Sequence, residues 1–223
     1  MKRLLDFIYT GKIEINYENV IDIFNAAAMF QLYKLADKCT DYIEEHIDLS
    51  NCIEIHVFAS LHQLVKLEKD TFQFILDNFM QLINSPPSIP VKIQSATNSA
   101  SILDELNATD QLLNSVNSLK NNDIVYFSDF VLLSETSFQS LIKSDSLNVS
   151  REIYVYYAVK KWIEYQMLSQ QQQQPTISTS TKLLKTYENL FKHIRLNALS
   201  RDELEFILNN DKLGLLISFF DSF

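Results

Sequence analysis

Residues 19–47 read NVIDIFNAAAMFQLYKLADKCTDYIEEHI. The apolar side chains of this stretch recur at steps of three and four residues in two consecutive runs, which is the spacing of amphipathic helices. The spacing predicts one helix over residues 20–31 and a second that follows almost at once and ends near residue 47. Asn19 stands where an N-cap residue of the first helix is expected. Each of these helices has an apolar face that must be buried.

The same periodicity predicts helices along most of the remaining chain. Asp48 and Ser50 supply side-chain oxygens at the head of a third helix, and its partner is expected from about residue 67 to 83. The segment SPPSIP at 85–90 ends that partner, because proline lacks the amide proton that a helix needs. Later helices are predicted after the caps Ser134 and Ser150, at 183–191, at about 201–208 after the cap Ser200, and at 213–220.

Few segments are predicted to be non-helical. Residues 12–15, KIEI, alternate after a Thr-Gly turn and are the one convincing strand in the sequence. Residues 85–124 are rich in Ser and Asn and are interpreted as an insertion, with a weak helical pattern inside it, and the Gln-rich run 169–182 as a mobile loop. Since the whole chain contains only 2 glycines, turn-rich architectures are excluded and a mainly α fold is expected.

Composition also limits the class of partner. The net charge is −9 and no helix carries a cluster of Lys and Arg, so nucleic-acid binding is not expected. No apolar run reaches the roughly 18–20 residues that span a bilayer, so no membrane span is expected. Cys39 and Cys52 fit no metal or redox spacing and are interpreted as reduced core thiols. The expected location is the cytoplasm, with the nucleus as a further possibility.

The inventory of reactive side chains does not predict an enzyme. His56 and His62 are six residues apart, which places them on opposite sides of a helix, so they cannot hold one metal ion together. Two glycines cannot build a phosphate-binding loop. We therefore expect no catalytic residues, no metal and no cofactor. Trp162 lies on an apolar stripe and is interpreted as a core anchor.

Several of these stretches together resemble a known family. LLDFIYTGKIEI at 4–15 and residues 19–47 resemble the C-terminal half of a BTB (POZ) domain, and three further stretches resemble the helical pair and the BACK domain of Kelch-like proteins. Those three stretches are SNCIEIHVFASLHQLVKLEKDTFQFILDNF, LIKSDSLNVSREIYVYYAVKKWI and LFKHIRLNALSRDEL. The resemblance implies a mainly α chain: a C-terminal remnant of an α/β BTB domain at 1–47, then an all-α BACK helical array at 48–223 with insertions at 85–124 and 169–182.

The resemblance implies a non-catalytic substrate-receptor adaptor of a cullin-3 RING ubiquitin ligase. By match to the family's motifs, the residues expected to contact the partner are Tyr9, Tyr33, Lys34, Asp37, Phe58, Leu61 and His62. Another BTB protein, or a second copy of this chain, is a further expected partner, and the ubiquitination substrate stays unnamed. The alternative is a BTB-BACK scaffold or cytoskeleton-associated interaction protein with no ligase role.

Departures from the family pattern keep that alternative open. Arg151 stands where the family tends to a small polar residue, and Asn197 where it usually has proline. The first half of the BTB domain, including the hydrophobic-x-Glu motif that binds the cullin, has no counterpart before Leu4, and no Kelch repeats follow. The chain is therefore expected to be a fragment or a truncated adaptor whose apolar faces make it prone to associate.

Overall fold

The computed structural model describes residues 7, 9–86, 89–92, 124–171 and 185–210. The contacts divide the chain into two compact units, Met1–Ile75 and Leu76–Phe223, here called unit 1 and unit 2. Among the described residues of unit 1, four helices have defined bounds: α1 (Val20–Met29), α2 (Tyr33–Glu45), α3 (Cys52–Leu61) and α4 (Val65–Asp77), the last of which crosses the division. The predicted boundary at residue 47 follows the family resemblance, and it stays a prediction.

The four helices of unit 1 form two helical hairpins that repeat at an offset of 32 residues. Both α1 and α3 have 10 residues, and both α2 and α4 have 13. The hairpin turns carry related sequences, QLYKL at 31–35 and QLVKL at 63–67. Equivalent core positions are buried in both copies, namely Ile23 and Ile55, Ala27 and Ala59, Leu35 and Leu67, and Ile43 and Ile75. Unit 1 is thus built around a tandem repeat.

Each hairpin turn closes its first helix with the same hydrogen bonds. The amide of Gln31 donates to the Ala28 carbonyl at 3.1 Å, and that of Leu32 to the Ala27 carbonyl at 2.8 Å. In the second copy Gln63 donates to Ser60 at 3.3 Å and Leu64 to Ala59 at 2.9 Å. This pair of bonds defines a Schellman motif, which requires a left-handed residue after the helix. Gln31 and Gln63, each with φ 56°, fill the position that glycine usually takes.

The start of each hairpin is fixed by a reciprocal pair of side chains. Asn19 Oδ1 accepts the Asn16 amide at 2.9 Å, while Asn16 Oδ1 accepts the Asn19 amide at 3.1 Å. In the second copy Asn51 Oδ1 accepts the Asp48 amide at 2.8 Å, while Asp48 Oδ1 accepts the Asn51 amide at 3.1 Å. Asn19 is the N-cap residue of α1, as predicted, but its side-chain oxygen accepts the Asn16 amide instead of an amide of the helix. The predicted role of Asp48 at the head of α3 is confirmed.

The core of unit 1 also contains polar side chains. His56 is buried, lies next to the ring of Phe72, and its Nδ1 lies 3.1 Å from Thr71 Oγ1. Burial lowers the pKa of His56. Cys39 and Cys52 are both buried and neither forms a disulfide, as predicted. Burial raises the pKa of the Cys39 thiol to about 11, so this thiol is protonated at neutral pH.

The strand prediction is wrong in its position. Residues 12–15 are irregular, and no strand among the described residues pairs with them. Ile13 and Ile15 are instead partly buried against the core of unit 1. Two strands are described: β1 (Ile89–Lys92) lies in the predicted insertion, and β2 (Ile124–Phe127) begins at its last residue. They pair antiparallel with Ile89 opposite Phe127. The weak helix predicted within 101–116 lies outside the described residues.

Unit 2 continues with short helices around one long one. Its described elements are α5 (Phe79–Ile83), β1, β2, a 3-10 turn (Asp129–Leu132), α6 (Glu135–Lys143), α7 (Ile153–Gln171), α8 (185–191), a 3-10 turn (Leu196–Ala198) and α9 (Arg201–Asn210). The helix predicted over 67–83 is thus interrupted at Asn78, which separates α4 from α5. The helix α7 extends through Gln171 into the predicted Gln-rich loop, whose other residues lie outside the described part, as does the helix predicted at 213–220.

The long helix α7 supplies the core anchor of unit 2. Trp162 is buried, stacks on Phe138 at 5.4 Å between ring centroids, and donates its Nε1 hydrogen to the Leu133 carbonyl at 2.9 Å. A buried indole whose N–H is satisfied contributes apolar area without a desolvation penalty. The interpretation of Trp162 as a core residue is confirmed. The predicted caps Ser134 and Ser200 are also confirmed, since each hydroxyl accepts the amide three residues ahead.

Ion pairs and hydrogen bonds hold the residues just before α7 in place. The Glu152 carboxylate is buried, accepts the Arg195 backbone amide at 2.9 Å, and lies 3.6 Å from the Arg195 guanidinium. That guanidinium also donates to the Ser144 carbonyl at 2.9 Å. The neighbouring Arg151 pairs with Glu203 of α9 at 2.6 Å. The Ser200 amide, aided by Arg151, lowers the pKa of Glu203. Arg151, a departure from the family pattern, thus has a partner in unit 2.

Candidate protein-interaction surface

Apart from Tyr9, the most exposed large apolar residues of the described chain belong to unit 1 and flank its hairpin turns. Met29 and Tyr33 are each 70% exposed in the first hairpin, and their repeat equivalents Leu61 and Val65 are 76% and 75% exposed in the second. We call these four residues the turn surface. Their side chains contribute little to the core, and exposed apolar groups of this size are typical of protein interfaces.

The repeat explains why these positions are exposed. A Schellman turn buries the residue after its left-handed position, and Leu32 and Leu64 are accordingly partly buried against the core. The last residue of the preceding helix and the first residue of the next then lie outside the core contacts. Met29 and Tyr33 occupy these places in the first copy, and Leu61 and Val65 occupy them in the second. The sequence signal QLxKL, repeated after 32 residues, could have located this surface in advance.

Tyr9 lies in a separate exposed turn of unit 1. It is helical and 87% exposed. The following Gly11 has φ 68°, and its amide donates to the Phe7 carbonyl at 2.7 Å, which ends the turn. Thr10 Oγ1 accepts the Lys12 amide at 3.3 Å. The Tyr-Thr-Gly-Lys turn therefore presents the Tyr9 ring to solvent on a hydrogen-bonded support.

The other predicted contact residues divide between surface and core. Tyr33, Lys34, Asp37, Leu61 and His62 are exposed. Phe58 is buried and belongs to the core, so it supports the surface from beneath. It packs on the His62 ring at 4.5 Å, and His62 in turn meets Phe24 of α1 at 5.0 Å. These ring contacts join the second hairpin turn to the first helix. Sequence reasoning did not find Met29 and Val65.

The electrostatics around the turn surface are mixed. Lys66 lies in the first turn of α4 and pairs with Glu44 of α2 at 2.5 Å. Glu44 raises the pKa of Lys66 through this hydrogen bond. Across the described ranges, no ion pair involves Lys34 or Asp37, the predicted charged contacts. No group of three or more His, Cys, Asp and Glu side chains that could hold a metal occurs within them either.

None of the described helices is both long and apolar enough to cross a membrane.

Two parts of the sequence match the models of known protein families. The BTB/POZ domain model matches residues 1–47, and the BACK model, BTB And C-terminal Kelch, matches residues 105–209. The sequence therefore matches a BTB domain and then a BACK domain, in that order. This confirms the resemblance seen in the sequence, and the mainly helical architecture agrees with it. No Kelch repeat was detected among the 223 residues.

Individual relatives of this BTB–BACK chain are Kelch-like proteins. Kelch-like protein 9 of Mus musculus is 34% identical over 85 residues, which is 38% of this chain and 14% of that protein. Kelch-like protein 6 of Homo sapiens is 26% identical over 165 residues, which is 74% of this chain and 20% of that protein. The chain thus spans a fifth or less of the length of these curated relatives.

Proposed function

We propose that this BTB–BACK chain is a non-catalytic adaptor whose unit 1 binds cullin-3 within a RING ubiquitin ligase, in the manner of a substrate receptor. The family contains adaptors of cullin-3 ligases. The observation that carries the proposal for this chain is the concentration of exposed aromatic and apolar side chains in unit 1, at Tyr9, Tyr33 and Leu61. Residues of this kind supply most of the binding energy at protein interfaces.

The arrangement favours positioning over chemistry. Tyr9 rests on a hydrogen-bonded turn, and Leu61 and Tyr33 flank turns that are fixed by paired backbone bonds. Rigid apolar anchors lose little conformational entropy on binding, which favours a stable complex. Lys34, Asp37 and His62 then form a polar rim around them. Ubiquitin transfer itself would be carried out by other subunits.

Titration calorimetry of the 223-residue chain with the N-terminal domain of cullin-3 tests the proposal. Tyr9→Ala and Leu61→Ser should each weaken binding at least about tenfold, because each removes an exposed anchor. Leu132→Ser is the matched control: Leu132 is 43% exposed in unit 2, and its loss should leave the affinity unchanged.

Absence of heat from wild-type protein at about 100 μM, roughly −5.5 kcal/mol of binding, would remove a direct cullin role for this chain. Co-purification with another BTB protein in that case supports the alternative, a BTB–BACK scaffold without ligase function. Equal weakening by Leu132→Ser would show that the contact is not at unit 1.

A further inference from the structure

A small apolar cavity opens between α1, α2 and α3 of unit 1. Its volume is about 170 Å³. Most of the lining is apolar or aromatic: Tyr17, Val20, Ile21, Tyr42, Ile43, Ile55 and Phe58. Cavities of about 150 Å³ take up a benzene-sized group, whereas drug-sized ligands need roughly 300 Å³ or more. The cavity therefore fits one large apolar side chain and is too small for a cofactor.

The mouth of the cavity is open and partly apolar. Tyr17 and Ile21, which line it, are 64% and 37% exposed. Tyr17 precedes α1 and Ile21 lies in its first turn. An arriving side chain would cover both while it enters between the helices. Covering this apolar area would contribute about 25 cal/mol per Å² removed from water.

Three polar residues complete the lining, and two of them are already satisfied within unit 1. His46 Nδ1 lies 2.7 Å from the Tyr42 carbonyl, and its ring stacks on Tyr42. Asn51 donates to the His46 carbonyl at 2.9 Å and accepts the Asp48 amide. The third is Glu54, an exposed residue in the first turn of α3. Over the described ranges no ion pair involves its carboxylate.

The segment 16–60, which supplies every lining residue of the cavity, is acidic. Residues 16–60 contain eight Asp and Glu but only two basic residues, Lys34 and Lys38, and neither lines the cavity. Glu18 and Asp22 are exposed next to the lining residues Tyr17 and Ile21. A ligand that carries a positive charge beside its apolar group is therefore favoured over a neutral or acidic one.

We propose that this cavity is a docking site for an extended segment of a partner protein in which a large apolar residue is followed by an arginine. The apolar side chain fills the cavity, and the guanidinium pairs with the Glu54 carboxylate, where a bidentate contact is available. The arginine can also lie over the exposed Tyr17 ring. The site shares only Phe58 with the contact residues of the proposed cullin surface, and it stands without that proposal.

A nuclear magnetic resonance titration of the full chain with a synthetic peptide tests the site. The probe is one Phe-Arg pair in a Gly/Ser frame, and the control peptides carry Ala-Arg and Phe-Glu in the same frame. The Phe-Arg peptide should give saturable amide shifts confined to residues around 17–21, 42–46 and 51–58. Both control peptides should fail to saturate, because each lacks one of the two anchors.

Variants separate the cavity from general attraction to an acidic protein. Glu54→Gln should weaken the Phe-Arg peptide at least about threefold, the effect of an exposed ion pair. Ile21→Trp fills the mouth and should abolish saturation. Glu14→Gln removes the same charge from an exposed residue outside the lining and should change nothing. Equal weakening by Glu14→Gln, or an Ala-Arg peptide that binds as well as Phe-Arg, would overturn the proposal.

Discussion

Two glutamines of unit 1 have a left-handed backbone conformation, which is unfavourable for residues other than glycine. Gln31 and Gln63 have φ 56°, where the Cβ atom crowds the following carbonyl. Each residue nevertheless closes a Schellman turn and lets the next leucine return to the core. The low glycine content of the chain, which predicts few left-handed turns, conceals these two positions from sequence reasoning.

Replacing either glutamine with glycine should stabilise unit 1. The relief of left-handed strain, about 1–2 kcal/mol, exceeds the extra backbone entropy of glycine, so Gln31→Gly and Gln63→Gly should each add about 0.5–1 kcal/mol to the free energy of unfolding. Urea unfolding followed by circular dichroism at 222 nm measures the change. Ala28→Gly, in right-handed α1, is the control and should destabilise. Destabilisation by both glutamine variants would contradict the strain argument.

His56 should make the stability of unit 1 depend on pH. Because burial lowers its pKa in the folded chain, the unfolded chain binds more protons below a pH of about 6.5. The contribution is complete above that pH and is lost as the pH falls through the folded pKa. Hydrogen exchange of peptides covering α3 and α4 should therefore accelerate between pH 6.5 and 5 after correction for intrinsic rates.

The repeat supplies the variant that tests this behaviour. Phe24 occupies the position equivalent to His56, so His56→Phe should remove the pH dependence while keeping the volume filled. His46→Gln, at an exposed histidine, is the control and should preserve it. A pH dependence that survives in His56→Phe would assign it to another group.

At the scale of elements, α7 depends on a buried carboxylate that no periodicity reveals. Glu152 stands just before the helix and meets Arg195, 43 residues later. The adjacent Arg151 bonds Glu203 through a pair whose arginine side chain is 59% exposed. These neighbours thus make ionic contacts of unequal burial within one turn of chain, because the Glu152 side chain is 4% exposed and the Arg151 side chain is 59% exposed.

Removing the two side chains should have unequal effects on unit 2. Glu152→Ala leaves the Arg195 amide and guanidinium without their buried acceptor and should cost about 2–4 kcal/mol. Arg151→Ala removes a pair whose arginine side chain is 59% exposed, and it should cost less than about 1 kcal/mol. Trp162, the only tryptophan in the chain, reports unfolding of unit 2 by fluorescence. Equal costs would show that burial does not separate these contacts.

The elements that sequence reasoning predicted well are those set by local rules. Ser134 and Ser200 cap helices through contacts three residues away, and Trp162 follows from helical spacing. The strand prediction for residues 12–15 was wrong, because alternation of apolar residues does not distinguish a paired strand from an extended segment that packs on a core. Phe58 was predicted to lie at the surface and Met29 was not predicted at all. Both errors have a related cause, because the neighbouring hairpin decides which face of a helix is covered.

At the scale of the whole molecule, the described apolar exposure is unevenly shared between the two units. Among the described residues, unit 1 carries nine of the exposed large hydrophobic side chains, and unit 2 carries two, Leu132 and Leu208. Exposed apolar area of this extent generally indicates contact with a partner. In the absence of a partner, we expect the chain to self-associate through this exposed apolar area.

Sedimentation velocity should therefore show association that increases with protein concentration. The double variant Met29→Ser and Leu61→Ser should shift the distribution toward monomer, because it removes apolar area from both hairpin turns. The double variant Leu132→Ser and Leu208→Ser is the control in unit 2 and should not. A wild-type chain that stays monomeric at every concentration would contradict the prediction.

The 32-residue offset in unit 1 allows equivalent positions of the two hairpins to be compared. Buried equivalents such as Ile23 and Ile55, or Leu35 and Leu67, are identical, whereas exposed equivalents such as Tyr33 and Val65 differ. The copies therefore share part of their interior, although buried Phe24 and His56 differ, and they differ at the turn surface. Exchanging solvent-facing residues between the copies should alter recognition while leaving the architecture intact.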